Sequence, residues 1–299
     1  MKSYTTLRNL YGTMTQNTAS ANLTLGDQYI NDAIRRICTA EHWDFMEDST
    51  TATTTASTQA YNLPYNYDKM IAVTITVSST VHTAKEITSR DEWNRLNMVS
   101  QTSDIVQYFF ISDGQINFFP TPASSSNTIT YYYQIRVRDL GSADYSTGSI
   151  VSIANGAAAV VGTGTSWTSQ MIGRWIRITR TDAVTSGDGE WYQISAVGSA
   201  TTLTLARNYA GTTLAAATAS YVIGEMPVIP EPYQILPVQE AAVWYWAQSG
   251  NEKKAKSLKD LFDEGYRNMK KDHLNKTTSY VVDSGEPRGY INPNLLIKL

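Results

Sequence analysis

Three histidines, one cysteine and 27 acidic side chains are the groups in this 299-residue sequence with reactive chemistry to offer. His42, His82 and His273 stand far apart, and none falls in HxxH, HExxH or mixed Cys/His spacing, the patterns that put two nitrogen or sulfur donors on one metal. The spacing predicts no metal centre. Cys38 and His42 are close enough to pair as thiol and base, yet Cys38 closes an apolar stripe of Tyr29, Ile30, Ala33, Ile34 and Ile37. That stripe predicts a buried structural thiol. Glu41 with Asp44 or Asp48 could form the paired carboxyls of glycoside cleavage, which needs them about 5 to 9 Å apart, but nothing singles such a pair out from a charged helix end. Gly162 and Gly164 lie in Val-Gly-Thr-Gly-Thr-Ser-Trp at 161–167, which begins like a phosphate loop. It lacks the Lys-Ser/Thr and leads into no helix start, so a β turn is expected. No serine sits in a GxSxG elbow. The sequence thus predicts no catalytic residues, no cofactor and no metal, and points to a protein that is not an enzyme.

Composition moves attention to surfaces. Residues are 42% hydrophobic and only 17% charged, below the roughly 25% usual for soluble chains, with Thr, Ser, Ala, Asn and Tyr making up the difference. Such a mix suits exposed strands and contact faces. A formal net charge of -3 gives no electrostatic footprint for tight binding to nucleic acid. Lys253, Lys254, Lys256, Lys259, Arg267, Lys270 and Lys271 are interleaved with acids and read as a solvated helix face. The first 21 residues are polar with no signal core, and no run approaches the ~18 apolar residues of a membrane span.

The elements that must position these groups fall into three stretches. The chain is long enough for two folding units. Helical spacing predicts a first helix over 25–40, with Thr24 and Asp27 as a variant capping box. A polar strand or hairpin follows at 49–58, then strands at 70–77, 106–111, 115–119 and 128–137, a short helix at 86–97 and a hairpin at Asp113-Gly114. From 141 to 224 the composition turns to Gly, Ala, Thr and Ser with alternating apolar residues, predicting six short strands in a small barrel or sandwich. Helical spacing returns in two helices: Pro232 suits the first turn of the first, or, given Pro237, that helix starts near Leu236 with Pro232 in an extended lead-in, and the second runs over 251–273. The last segment has apolar residues without helical period, which fits docking on another surface or a final strand in the chain's own sheet.

An Ile- and Arg-rich helix (Ile-Asn-Asp-Ala-Ile-Arg-Arg-Ile at 30–37) leads to Trp43-Asp44-Phe45, a Thr-rich strand and Tyr61-Asn62-Leu63-Pro64. With Gly-Gln-Ile-Asn-Phe-Phe-Pro at 114–120, Thr-Tyr-Tyr-Tyr-Gln-Ile-Arg-Val at 130–137 and Ile-Pro-Glu-Pro-Tyr at 229–233, this order resembles the head-to-tail adaptors (neck, connector or tail tubular A-like proteins) of tailed bacteriophages. The middle stretch resembles a small β module of phage structural proteins, through Gly-Thr-Ser-Trp at 164–167, Met-Ile-Gly-Arg-Trp-Ile-Arg-Ile at 171–178 and Glu-Trp-Tyr-Gln-Ile at 190–194.

The resemblance implies an α+β fold: an adaptor core (1–140 and 225–275) of an N-terminal helix, a C-terminal helical hairpin and antiparallel strands, an inserted all-β domain (141–224) and an extended docking tail (276–299). It implies a structural virion protein of the neck, assembled in the host cytoplasm, that forms a homo-oligomeric ring of about twelve copies. Such a ring binds the portal on one side and a downstream tail or nozzle protein on the other, encloses the channel for genome ejection, and lets DNA pass without sequence-specific binding. The family's C-terminal segment docks on the portal, and Tyr290, Ile291, Leu295, Leu296 and Leu299 are the anchors expected here. No membrane partner is implied. The alternative is a phage tail protein that binds a host-surface glycan through the inserted β domain, stacking sugars on Trp167, Trp175, Trp191 and Tyr192.

Overall fold

The computed structural model describes residues 1–181, 186–216 and 218–274, which form five α-helices and two curled β-sheets. Helix α1 (Tyr4–Thr15), unforeseen in the sequence, is capped by the Ser3 hydroxyl, which accepts the Thr6 N–H, and ends at Gln16 in the left-handed region. Helix α2 (Ser20–Ala40) begins a turn before the expected start. Thr24 is therefore no cap: it lies inside the helix and its hydroxyl donates back to the Ser20 carbonyl. The apolar stripe ending in Cys38 faces inward as expected.

Helices α4 (Leu236–Gln248) and α5 (Glu252–His273) make a hairpin, turned at Gly250 and capped by Asn251. Pro237 sits in the first turn of α4, where its missing N–H costs nothing, while Pro232 lies in a 3-10 turn (Glu231–Tyr233), not in extended chain. Leu7, Tyr11, Ile34, Trp43, Val238 and Phe262 share the core that joins α1, α2, α4 and α5. Arg36 of α2 pairs with the buried carboxylate of Glu240 on α4 and lies over the Trp244 ring.

The first sheet holds β1 (Glu47–Thr53), β2 (Ala60–Asn62), β3 (Tyr67–Val77), β4 (Thr80–Glu86), β5 (Tyr108–Ser112), β6 (Gln115–Phe119) and β7 (Thr128–Ile135), in the order β1-β7-β3-β4-β5-β6-β2. A register shift between Met70 and Ala72 in β3 turns Met70 inward beside Val73 and Ile75 and leaves Ile71 outside. The simple alternation expected over 70–77 therefore holds only from Ala72 onward. Ser78 and Ser79, both at positive φ, turn β3 into β4, and Asp113-Gly114 does the same between β5 and β6. Helix α3 (Arg90–Leu96) carries the crossover into the one parallel pair among these strands, β4 with β5.

The second sheet comprises β8 (Ser149–Ile153), β9 (Ala159–Thr163), β10 (Trp175–Ile178), β11 (Trp191–Ser199), β12 (Thr202–Leu205) and β13 (Tyr221–Gly224), in the order β13-β10-β11-β12-β9-β8. Bridges between Tyr145 and Ile223, Ile150 and Ala219, and Ile153 and Leu214 draw its two edges together around a core of its own. The chain enters and leaves this sheet at one place. There Glu225 Oε2 accepts the N–H groups of Gly141 and Ser142, each at 2.8 Å, and the Glu225 carbonyl accepts the Tyr4 N–H.

Candidate functional site

The reactive groups are spoken for by their neighbours. Cys38 is 4% exposed, and burial pushes its thiol up to about 12, so it carries no thiolate at neutral pH. His42 bonds Gln134 and lies 3.2 Å from Glu47, and so is held away from any role with Cys38. The three carboxylates considered for sugar cleavage go to separate partners. Glu41 pairs with Lys270, Asp44 lies 3.1 Å from His273, and Asp48 takes bonds from Asn66 and Tyr133. His82 sits on β4 opposite Ile75. The Gly162–Gly164 stretch is a strand end and turn, and its Thr165 hydroxyl donates to the Ala200 carbonyl. Among the described residues, no group of three or more His, Cys, Asp or Glu could hold a metal ion, and no helix is long and apolar enough to cross a membrane.

The four aromatic faces considered for glycan stacking divide between the core of the second sheet and one cleft. Trp167 and Tyr192 are in the core of the second sheet, with the Trp167 N–H donating to the Tyr221 hydroxyl. Trp191 is buried beneath Arg177, whose guanidinium lies 4.9 Å from the ring centroid. Trp175 stays partly open and lines, with Trp191, a cleft of ≈ 700 Å³ shared with Arg177, Glu190, Gln193 and Arg207. Alternation in the sequence marks Trp175, Trp191 and Tyr192 as strand residues, but not which face each takes.

Two kinds of surface remain. One is the outer face of the first sheet, where Thr51, Thr130, Thr74 and Thr83 line up across β1, β7, β3 and β4, followed by Thr53, Thr128, Thr76 and Val81. These two rows are uncharged and β-branched, the threonine content noted above having become a register of rows. The other is a groove of ≈ 360 Å³ where the curled sheet brings the edge of β1 opposite residues 62–66. Tyr61 closes one end by bonding the Thr55 backbone, and Asp48, Asn66 and Tyr133 close the other. Between them lies Tyr131, a residue 1% exposed whose buried hydroxyl has no hydrogen-bond partner among the described residues. Sequence reasoning missed this groove, because it depends on which strands are edges.

The expected portal anchors Tyr290, Ile291, Leu295, Leu296 and Leu299 lie outside the described residues. The described chain reaches Leu274, which bridges Trp43 just after the aromatic cluster of Phe45, Tyr233 and His273.

No curated protein matches the chain. The model of the SU10 adaptor protein family matches residues 2–159, a span that runs from α1 through the whole first sheet to the start of β9 and includes the groove and the threonine face. More than half of the sequence is thereby accounted for, including the helix-to-aromatic-to-strand order of residues 30–64, and the chain belongs to the SU10 adaptor protein family, among the structural adaptors of phages.

Proposed function

We propose that this protein is a neck component of a phage virion. It forms a ring of about twelve copies between the portal and the next tail protein, and the ring encloses the channel through which DNA leaves. The adaptor family match over residues 2–159 carries the reading. In it, residues 1–140 and 225–275 act as the adaptor core, with α1, α2 and the α4–α5 hairpin as its frame, and residues 141–224 are an inserted all-β unit.

Two physical features agree with this role. A channel wall must not grip phosphates, since each neutralised phosphate adds salt-dependent affinity, and the net charge of -3 avoids that. Many lysines of α5 are also engaged within the chain: Lys254 lies 4.0 Å over Trp246, Lys259 pairs with Asp263 and Lys270 with Glu41. Exposed apolar residues such as Tyr65, Met98 and Val99 offer contact area between copies.

The portal contact is made by Tyr290, Ile291, Leu295, Leu296 and Leu299. Their burial at ~25 cal/mol per Å² contributes several kcal/mol per copy before ordering costs, and ring closure multiplies it. Native mass spectrometry of the protein, alone and mixed with portal rings, tests the reading. A ring, or a monomer that becomes a stoichiometric multimer with portal, is expected; a monomer indifferent to portal overturns it.

A further inference from the structure

We propose that the cleft of ≈ 700 Å³ on the outer face of the second sheet binds a carbohydrate that carries a carboxylate, with Trp175 stacking on the sugar ring and Arg177 and Arg207 holding the acid. Strand register builds the floor of this cleft. In β10, Ile176 and Ile178 turn into the core, so Trp175 and Arg177 take the other face. They stand opposite Gln193 and Trp191 of β11. Arg207 follows β12 and comes to the same place, where its guanidinium donates to the Trp191 carbonyl at 2.9 Å. Glu190, one residue before β11, stands exposed at the rim. Clefts of about 300–1,000 Å³ are the usual size for small ligands.

The rings and the guanidinium groups together define the ligand. Three of the four aromatic side chains are already engaged: Trp167 packs on Tyr221, Tyr192 on Tyr209 and Arg207, and Trp191 under Arg177. Trp175 is partly open and, among the described residues, has no ring or cation against it. The C–H face of a sugar suits such a ring, and its hydroxyls would then meet the Gln193 amide and the Glu190 carboxylate at the edge. Arg177 lies 4.9 Å from the Trp191 centroid and Arg207 4.6 Å from that of Tyr192. Stacking fixes the plane of each guanidinium and leaves N–H groups at its edge for a ligand. Among the described residues neither arginine has an ion pair with an acid, and Glu231, on the cleft wall, is taken by the Met1 amino group. Two oriented forks without a counter-charge favour a carboxylate, which they can bind through paired N–H groups. Duplex DNA is a poorer occupant, because its bases are stacked on one another and Glu190 would face its phosphates. The proposal goes beyond the neck reading and does not rest on it, since every residue lining the cleft falls outside the 2–159 span of the family match.

Isothermal titration calorimetry on the full chain tests this, with trigalacturonic acid, a hyaluronan tetrasaccharide and sialyllactose as acidic probes and their methyl esters as neutral counterparts. At least one acid should bind, about tenfold or more tighter than its ester, and should bind about tenfold or more weaker to Arg177→Gln, Arg207→Gln and Trp175→Ala. Trp175→Tyr keeps a stacking face and should stay within about threefold of the native protein, which decides the matter should Trp175→Ala lose its thermal transition. Failure of all three acids to bind overturns the proposal, as does equal affinity for acid and ester. Affinity untouched by the three variants places the sugar elsewhere and overturns it too. Acetate or phosphate that competes as well as the sugar would mean a simple anion site, and a DNA duplex that binds with the same loss in Arg177→Gln would mean a phosphate contact; either result overturns the assignment.

Discussion

Buried hydroxyls are the titrating groups most altered by this fold. Burial, with Asp27 adjoining, pushes Tyr4 up to about 12, and burial with a bond to Asp188 does the same for Tyr192. Tyr11, Tyr131 and Tyr221 are raised as well, by burial first, and Cys38 reaches about 12. Each of these acids holds its proton more tightly folded than unfolded. Their contribution is fully present below the ordinary values of 10.0 for tyrosine and 9.0 for cysteine and is lost as pH rises towards 12. Urea unfolding followed across this range should give a midpoint that falls steadily from about pH 9 to 12. Tyrosinate absorbance should appear together with unfolding, and an early tyrosinate signal from a fully folded protein would contradict the assignment. At this scale the sequence was informative where one stripe decides the answer: Ile30, Ile34 and Ile37 placed Cys38 inside. It was silent on Tyr131, whose missing partner depends on strands more than 60 residues away in sequence.

Among the elements, the contact between α1 and α2 has the least slack. A Cβ on Gly26 would lie 2.3 Å from the ring of Tyr11, which is itself fully buried. Gly26→Ala should therefore destabilise the fold by about 1–3 kcal/mol through overpacking, against about 1 kcal/mol gained in helix propensity. Denaturant titration of the variant checks the sign, and a more stable protein would mean that the two helices can part at little cost. Helix α1 escaped sequence reading because its buried face is built from Tyr4, Leu7, Tyr11, Gly12 and Thr15, too polar to stand out as a stripe. Strand β4 was lost for a related reason: Val81, Thr83 and Lys85 point to solvent, leaving Ala84 as its only fully buried residue. Helix α5 and the strands with strict alternation were legible because one face of each is plainly apolar, and α4 because it is apolar nearly all round. Sheet order was not, since it depends on non-local pairing.

For the whole molecule, the two sheets have separate cores, one around Ile176, Tyr192 and Ile223 and one around Val73, Phe118 and Tyr131. Residues 142–224 should then be replaceable by a short Gly/Ser linker without unfolding the remainder. The expected loss is the hydrogen bonds from Ser3 to Asp144, from the Asp144 N–H to Thr5 and from the Ser142 N–H to Glu225, about 1 kcal/mol each. Circular dichroism and a cooperative melt of the shortened protein would bear this out; loss of the cooperative transition would refute it. The junction itself has a mechanical character. Arg174 bonds the carbonyl of Ala143 on the incoming chain and that of Ile223 on the outgoing one, while Glu225 takes the amides of Gly141 and Ser142. Two tethers clasped side by side act as a door hinge and not as a swivel. So joined, the second sheet should tilt about one axis more readily than it twists, with a pull on it reaching the start of α1 through the bonds of Tyr4 to Glu225 and of Ser3 to Asp144.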